Sequence, residues 1–118
     1  MKLWIDDVRP APEGYHWIKS VVDAKRDIEW FEEAYNCMMH QYLDRRADIE
    51  DVEFYKLELI DIDHDAGDYA YLGGDYIKLL DWLEETGRNY PIRIHSMNVV
   101  GRMNMEAIIE RNGWTEVK

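Results

Sequence analysis

Three short apolar segments each end in a group of acidic or histidine side chains, and this arrangement constrains the fold more than any other feature of the chain. The segments are KLWID (2–6), LELIDID (57–63) and PIRIH (91–95). Their length and their branched and aromatic residues are typical of buried β-strands. Because the carboxyl ends of parallel strands meet at one edge of a sheet, the pattern predicts a single crevice where these polar groups gather.

Helical periodicity separates the second strand region from the third. Ser20 and Asp23 have the spacing of a capping box, and apolar residues follow at positions 24, 28, 31, 35, 38 and 42, in steps of four and three. This pattern predicts one long helix from about residue 21 to about residue 46. Its apolar stripe is typical of core or dimer packing, and the sequence leaves open whether the protein is a homodimer.

Three further segments are assigned from their composition. YHWIK (15–19) is rich in aromatic and branched residues and is interpreted as a strand. RRADIEDVEFYK (45–56) interrupts the helical pattern with charge and is interpreted as a connection. WTEV (114–117) is interpreted as an edge strand.

Two shorter helices complete the predicted order of elements. Asp75 is expected to cap a helix over residues 76–86, and Asn98 to cap a last helix that ends near Gly113. Strands therefore alternate with helices over most of the chain. This alternation predicts a single α/β domain over residues 1–118, with a mostly parallel sheet of four or five strands covered by helices.

Charge and composition exclude several classes of function. A net charge of −11 argues against a protein that grips duplex nucleic acid through its phosphates, because that mode requires clustered Lys and Arg. No stretch approaches the roughly 18 apolar residues of a membrane span, and the first residues lack the pattern of a signal peptide. A cytoplasmic protein without a membrane partner is expected. The one cysteine, Cys37, is interpreted as a packing residue.

The acidic residues at the strand ends are candidate metal ligands. Oxygen ligands from two strand ends can bind Mg²⁺ or Mn²⁺ and leave room for water and a phosphate. The candidates are Asp6, Asp7, Asp63 and Asp65. Each pair could instead begin an ordinary turn, since Asp is common in turns. Asp61 lies further back in its strand and is interpreted as a second-shell or solvent-facing residue.

Several residues near the same edge are suited to binding an anion. Arg9 can form paired hydrogen bonds with a phosphate, although it could also pair with Asp7. The last helix starts beside His95, so its free backbone amides from Asn98 to Gly101 are expected to face the crevice, and Arg102 lies one turn further on.

The three motifs together resemble a known family. LWIDDVRPAP, DIDHDAG and IRIHSMNVVG are similar, in order and spacing, to motifs of the cyclic-phosphate-processing receiver-like domains, relatives of the response-regulator receiver fold. That family has an acidic pair and R.P after strand one, LDHDLG after strand three and HS.NPVG after strand four. The resemblance implies a receiver-like (flavodoxin-like) three-layer α/β fold. The first helix of that fold is expected to be missing here.

Comparison with ordinary receivers separates shared residues from added ones. Asp6 and Asp7 match the acids that hold Mg²⁺ there, Asp63 matches the phosphoryl acceptor, and Ser96 matches the Ser or Thr after strand four. The Lys-Pro expected after strand five is absent, and Lys118 is a poor substitute.

Two histidines, His64 and His95, have no counterpart in a phosphoacceptor switch and supply what hydrolysis needs. The chain departs from its nearer family at Val99, where Pro is expected, and at Ala66, where Leu is expected. Neither position carries a proposed catalytic group.

The leading hypothesis is a phosphodiesterase that opens a cyclic phosphate or a cyclic (oligo)nucleotide. One of His64 and His95 would activate the attacking water and the other would protonate the leaving oxygen, beside Mg²⁺ or Mn²⁺ or without any metal. Arg9 and the amides after Asn98 would grip the phosphate, while Ser96 would bind it or orient His95.

Two other functions are compatible with the sequence. The protein could bind a cyclic nucleotide without turnover, as a receptor or sponge in conflict between bacteria and phages. It could also be a phosphorylation switch with Asp63 as the acceptor, which the missing Lys disfavours.

Overall fold

The computed structural model describes residues 1–118 and contains one parallel sheet with α-helices. The strands are β1 (Lys2–Ile5), β2 (Tyr15–Ile18), β3 (Leu59–Ile62) and β4 (Ile92–Ile94). The helices are α1 (Val21–Leu43), α2 (Ile49–Tyr55), α3 (Ile77–Glu85) and α4 (Val99–Asn112). The strand order is β2-β1-β3-β4, and every neighbouring pair is parallel. The predicted receiver-like α/β fold with a parallel sheet is confirmed, but the expected third layer is absent, because one apolar core joins α1, α3 and α4 to the same face of the sheet.

Alternate residues of the strands form the core. The inward-facing strand residues are fully or almost fully buried and pack against α1, α3 and α4; they are Leu3, Ile5, Ile18, Ile60, Ile62, Ile92 and Ile94. Burying a side chain of this size stabilises the fold by about 1.5–3 kcal/mol. The period of two places Trp4, Asp61 and Arg93 on the opposite face, where they are neighbours in register.

The connection between β1 and β2 contains no helix, as predicted. Because no helix follows β1, Lys2 and Arg93 remain exposed on the opposite face. The chain leaves β1 toward β2 on one side and then crosses back to β3 on the other side of β1. In open parallel sheets ligands bind at this reversal, outside the carboxyl ends of the strands.

The predicted helix caps are confirmed for α1 and α4. The Ser20 hydroxyl accepts a hydrogen bond from the Asp23 amide at 3.0 Å, and the Asn98 side chain accepts one from the Gly101 amide at 2.9 Å. Gly113 ends α4 with φ of 65°, which favours glycine. The prediction for Asp75 was wrong: α3 begins after Tyr76, and the Asp75 carboxylate accepts from the Ala66 amide at 3.0 Å.

Three element boundaries also differ from the prediction. Residues 45–56 are not only a connection, because α2 forms there with a capping box between Asp48 and Asp51. Only Val52 of α2 is buried, so a helix this short leaves no apolar period to detect. Helix α1 ends at Leu43 rather than near residue 46. The predicted edge strand 114–117 is reduced to a single bridge between Ile92 and Glu116.

None of the helices is both long enough and apolar enough to cross a lipid bilayer.

Candidate functional site

Three strands deliver their polar ends to the point where the chain reverses. Asp6 follows β1, Asp63 follows β3 and His95 follows β4. One ligand atom from each of these side chains lies within 4.8 Å of the others. We call these three residues the inner cluster. The convergence of the three strand ends that the sequence predicts is therefore present.

Asp6 is fully buried and firmly held. Its Oδ1 accepts hydrogen bonds from the backbone amides of Val8 at 3.0 Å and Arg9 at 2.9 Å, while its Oδ2 lies 2.9 Å from Nε2 of His95. Burial alone would raise the pKa of Asp6, but these hydrogen bonds outweigh it and hold the pKa below its usual value. The carboxylate is thus ionised, with one oxygen anchored by the backbone and the other turned toward the cluster.

Both ring nitrogens of His95 are engaged. Its Nδ1 lies 2.7 Å from Oδ1 of Asp61, opposite the contact with Asp6. The ring also stacks on Trp4, with centroids 3.9 Å apart and planes 3° from parallel. Burial would lower the pKa of His95, but the bonds to Asp61 and Asp6 raise it above its usual value. His95 is held on three sides and has no free nitrogen.

Asp63 and Asp7 add negative charge beside Asp6. Asp63 Oδ1 accepts from the His64 amide at 2.8 Å. Burial, together with repulsion from Asp6 and Asp63, raises the pKa of Asp7. A Cβ added to Gly67 would lie 2.2 Å from Asp7 Oδ2, so the close approach of this carboxylate to the backbone requires glycine. Three carboxylates therefore lie close together, with the imidazole of His95 beside Asp6 and Asp63.

A second group, the outer cluster, consists of His64, Asp65 and Asp75, and again its ligand atoms lie within 4.8 Å of one another. His64 Nδ1 lies 2.8 Å from Asp65 Oδ1. The side-chain amide of Asn98 donates a weak hydrogen bond of 3.4 Å to the carboxylate of Asp65, which connects the start of α4 to the His64–Asp65 pair. The His64 ring packs on Gly101, where an added Cβ would lie only 2.4 Å from Cγ.

The two clusters divide the predicted set of metal ligands. Asp6 and Asp63 come together with His95, and Asp7 lies close to both carboxylates, but Asp65 belongs to the outer cluster with His64. The structure therefore does not bring Asp65 together with the other three predicted metal ligands. The remaining residues fit a divalent cation, because Oδ2 of Asp6 faces His95 within the inner cluster, Oδ2 of Asp63 accepts no hydrogen bond and the local charge is negative.

The predicted phosphate-binding residues differ in their availability. The guanidinium of Arg9 is exposed and contacts the carbonyl of His95 at 3.4 Å, so it lies at the crevice. Ser96 is buried, and its hydroxyl accepts from the Asn98 amide at 3.0 Å rather than orienting His95. Arg102 is less available than predicted, because its guanidinium donates to the Ile94 carbonyl and to Glu106, both at 3.0 Å.

Sequence reasoning missed or undervalued three residues of the site. Asp61 is fully buried and hydrogen-bonded to His95, so the solvent-facing alternative was wrong and the supporting one remains. Trp4 supports the His95 ring, and Asp75 joins the outer cluster. The period of two places Trp4, Asp61 and His95 on one face, but only the strand order shows that they are neighbours.

The largest cavity of the structure lies elsewhere. It has a volume of about 770 Å³ and is located at the amino edge of the sheet, lined in part by Glu32, Tyr55 and Tyr90. Glu32 there is already paired with Arg88, with two contacts of 2.9 and 3.0 Å. Cavity size alone would therefore locate the functional site where the Glu32 charge is already paired. The titratable groups instead locate it at the carboxyl edge of the sheet.

A parallel sheet in the order β2-β1-β3-β4, with an acidic pair after the first strand and an acid after the third, defines a receiver-like α/β domain. The family model described as "Cyclic-phosphate processing Receiver domain" matches residues 1–111, and the chain belongs to that family. No curated protein and no solved structure matches the chain.

Proposed function

We propose that this protein is a phosphodiesterase that opens a cyclic phosphate ester in a small molecule or a cyclic (oligo)nucleotide. The observation that carries the proposal is the convergence of Asp6, Asp63 and His95 within 4.8 Å at the sheet edge, directly beside the His64–Asp65 pair. Such a grouping combines a place for a cation with a base, and phosphoester hydrolysis requires both. The family to which the chain belongs supports the choice of substrate class.

His64 is the proposed general base. With its Nδ1–H donated to Asp65, the other ring nitrogen, Nε2, has a free lone pair and no protein partner. This nitrogen accepts a proton from water as the water oxygen bonds to phosphorus. The ester P–O bond then breaks, and the leaving oxygen takes a proton from solvent. His95 is not assigned the complementary acid role, because both of its nitrogens are engaged.

Cationic and polar groups for the phosphate surround this base. Asp6 and Asp63, with Asp7 beside them, would hold Mg²⁺ or Mn²⁺, which supplies positive charge to the phosphoryl oxygens when bound. The first-turn amides of α4, at Val99 and Val100, present the positive end of the helix dipole at the crevice. Arg9 is the exposed cation at its rim.

Exposed apolar side chains flank the same loops. Val8, Met97, Val99 and Val100 are each 68–82% exposed on segments that leave the carboxyl ends of β1 and β4. Isolated apolar residues on a surface are common, but four around one polar crevice form a surface suited to a nucleobase. They are proposed to bind the part of the substrate that does not react.

Binding without turnover is the second candidate. It is favoured by one observation, namely that His95 has no free ring nitrogen, so His64 is the one histidine available for proton transfer. A protein that holds a cyclic nucleotide intact would use the same amides and the same apolar rim.

One experiment separates the two candidates. The protein is incubated with cyclic mono-, di- and trinucleotides and with 2′,3′-cyclic phosphates, with Mn²⁺ or with EDTA, and the products are separated by chromatography. We expect at least one substrate to be converted to a linear phosphate monoester, with conversion strongly slowed in His64→Gln and unchanged in His40→Gln, on the exposed surface of α1. Recovery of an intact nucleotide that co-purifies with the protein would favour binding alone.

A further inference from the structure

We propose that His95 is itself a metal ligand, together with Asp6 and Asp63, and that Asp61 is the outer carboxylate that fixes its ring. The crevice then selects a transition-metal dication such as Mn²⁺ or Co²⁺ over Mg²⁺. The inference deepens the proposed function, since it concerns the same crevice, but it concerns binding of the metal and is tested without a substrate.

The first argument is the position of the three side chains. Asp6, Asp63 and His95 come from the ends of three neighbouring strands, and their ligand atoms lie within 4.8 Å of one another. Strand ends are rigid supports, and each carboxylate has one oxygen fixed by backbone amides. Three ligands on one side of a cation leave its other side open to water and to a phosphate.

The second argument comes from a residue outside the ligand set. A histidine that binds a metal almost always donates its other ring N–H to a carboxylate or carbonyl, which sets the tautomer and the orientation of the ring. Asp61 provides this contact at 2.7 Å to Nδ1, with a side chain that is only 1% exposed. Arg93, at 3.5 Å, balances part of its charge. The contact with Asp61 therefore directs Nε2 of His95 toward Asp6 and Asp63.

The third argument is the restriction of the ring by Trp4. The indole stacks on His95 at 3.9 Å and is itself fixed by a 2.9 Å hydrogen bond from its Nε1–H to the Arg9 carbonyl. A general acid or base must exchange protons with substrate and solvent, whereas a ligand needs one fixed nitrogen. The surroundings of His95 suit a ligand better.

The choice of metal follows from the donor set. Mg²⁺ prefers sites composed of oxygen atoms and water, while an imidazole nitrogen favours first-row transition metals. Two carboxylates and one imidazole therefore favour Mn²⁺ and Co²⁺. If His95 served only as an imidazolium bridge between Asp6 and Asp61, the site would show no such preference.

The test uses the full chain stripped of metal with EDTA and desalted. Calorimetric titrations with Mn²⁺, Co²⁺ and Mg²⁺ are expected to show tighter binding of Mn²⁺ and Co²⁺ than of Mg²⁺. Asp61→Asn should weaken Mn²⁺ binding by roughly 10- to 100-fold, as is typical of groups that orient a ligand, and His95→Gln at least as much. The matched control is His16→Gln, since His16 also pairs with an Asp, Asp27 at 2.9 Å, away from the crevice.

The main readout of a second measurement comes from the wild-type protein and does not depend on the folding of any variant. Pulsed electron paramagnetic resonance of the wild-type protein with Mn²⁺ should show coupling to a histidine nitrogen, and this coupling should persist in His64→Gln. Absence of nitrogen coupling, its loss in His64→Gln, or Mg²⁺ binding as tight as that of Mn²⁺ would overturn the inference.

The outcome of this test is independent of the proposed function. Nitrogen-coupled Mn²⁺ without hydrolysis of any cyclic phosphate would uphold the metal site and reject the phosphodiesterase. Hydrolysis with Mn²⁺ bound through oxygen alone would do the reverse.

Discussion

Carboxylates lie partly or fully buried at both edges of the sheet, but only one edge neutralises them completely. At the amino edge Glu32 receives hydrogen bonds from two nitrogens of Arg88, at 2.9 and 3.0 Å, and from the Tyr90 hydroxyl. Burial alone would raise the pKa of Glu32, but these partners lower it. The Glu32 carboxylate is therefore fully hydrogen-bonded within the protein and is not available to a ligand.

At the carboxyl edge Asp6 pairs with His95 and Asp63 lies within 4.8 Å of both, while Asp7 has these two carboxylates as its charged neighbours. Asp6 is stabilised as an anion, but the pKa of Asp7 is raised by burial and by its two acidic neighbours. Natural proteins accept such unfavourable charge where function requires it. The difference is the one expected if the carboxyl edge receives a cation, as proposed, while the amino edge serves stability.

The largest expected effect is on rate, at the carboxyl edge. His64→Gln should lower kcat for a hydrolysed cyclic phosphate by roughly 10²- to 10⁴-fold, because it removes the proposed base. Its urea unfolding midpoint should remain close to that of the wild type, because the His64 ring has no buried ion-pair partner at Nε2. Activity within twofold of the wild type would contradict the catalytic role proposed for the carboxyl edge.

The next effect tests the position of the His64 ring. Gly101→Ala places a Cβ 2.4 Å from His64 Cγ, so the ring or the start of α4 must shift. A displacement of about 1 Å can cost on the order of 10²-fold in rate. Steady-state kinetics should show this loss, while Met103→Ala, which changes an exposed residue of the same helix with no proposed role, should leave the rate close to that of the wild type.

At the amino edge the expected effect is on stability. Glu32→Gln should lower the free energy of unfolding by about 2 kcal/mol at pH 7, because charge-assisted hydrogen bonds are lost, and should leave kcat unchanged. Since the folded pKa of Glu32 lies below its usual value of 4.5, the contribution is present above that value and is lost as the pH falls through the folded pKa.

Urea titrations at pH 7 and in the acid range check this prediction, with the exposed neighbour Glu33→Gln as control. An equal loss of stability at both pH values would contradict the role of the charge.

The smallest expected effect has the opposite sign. Asp7→Asn should raise the free energy of unfolding of the metal-free protein by up to about 1 kcal/mol at pH 7, because it removes one of three crowded carboxylates, partly screened by solvent. The raised folded pKa of Asp7 means that this unfavourable contribution is present at neutral pH and disappears as the pH falls. Thermal unfolding in EDTA measures this change in stability. A destabilised Asp7→Asn variant would contradict the expected opposite signs of the Asp7 and Glu32 substitutions.

Local patterns were sufficient to predict most elements. The α1 apolar period and the caps at Ser20 and Asn98 depend on residues within a few positions of each other, so they can be read from the chain. The short helix α2 could not be predicted in this way, because its seven residues bury only Val52. Asp75 is of a residue type that often caps helices, but its carboxylate instead accepts a hydrogen bond from the backbone amide of Ala66, nine residues away in the chain.

The location of the candidate site could be predicted from the sequence, but the division of its residues between the inner and outer clusters could not. The sequence by itself determined that acids and histidines end three strands, because alternation and apolar runs specify strands and parallel strands share an edge. Only the tertiary structure decided that His95 lies between Asp61 and Asp6, while His64 pairs with Asp65. The physical reason is that strand order and register, which set these contacts, are determined by packing of the whole core, and a contact between residues 34 positions apart leaves no local signal.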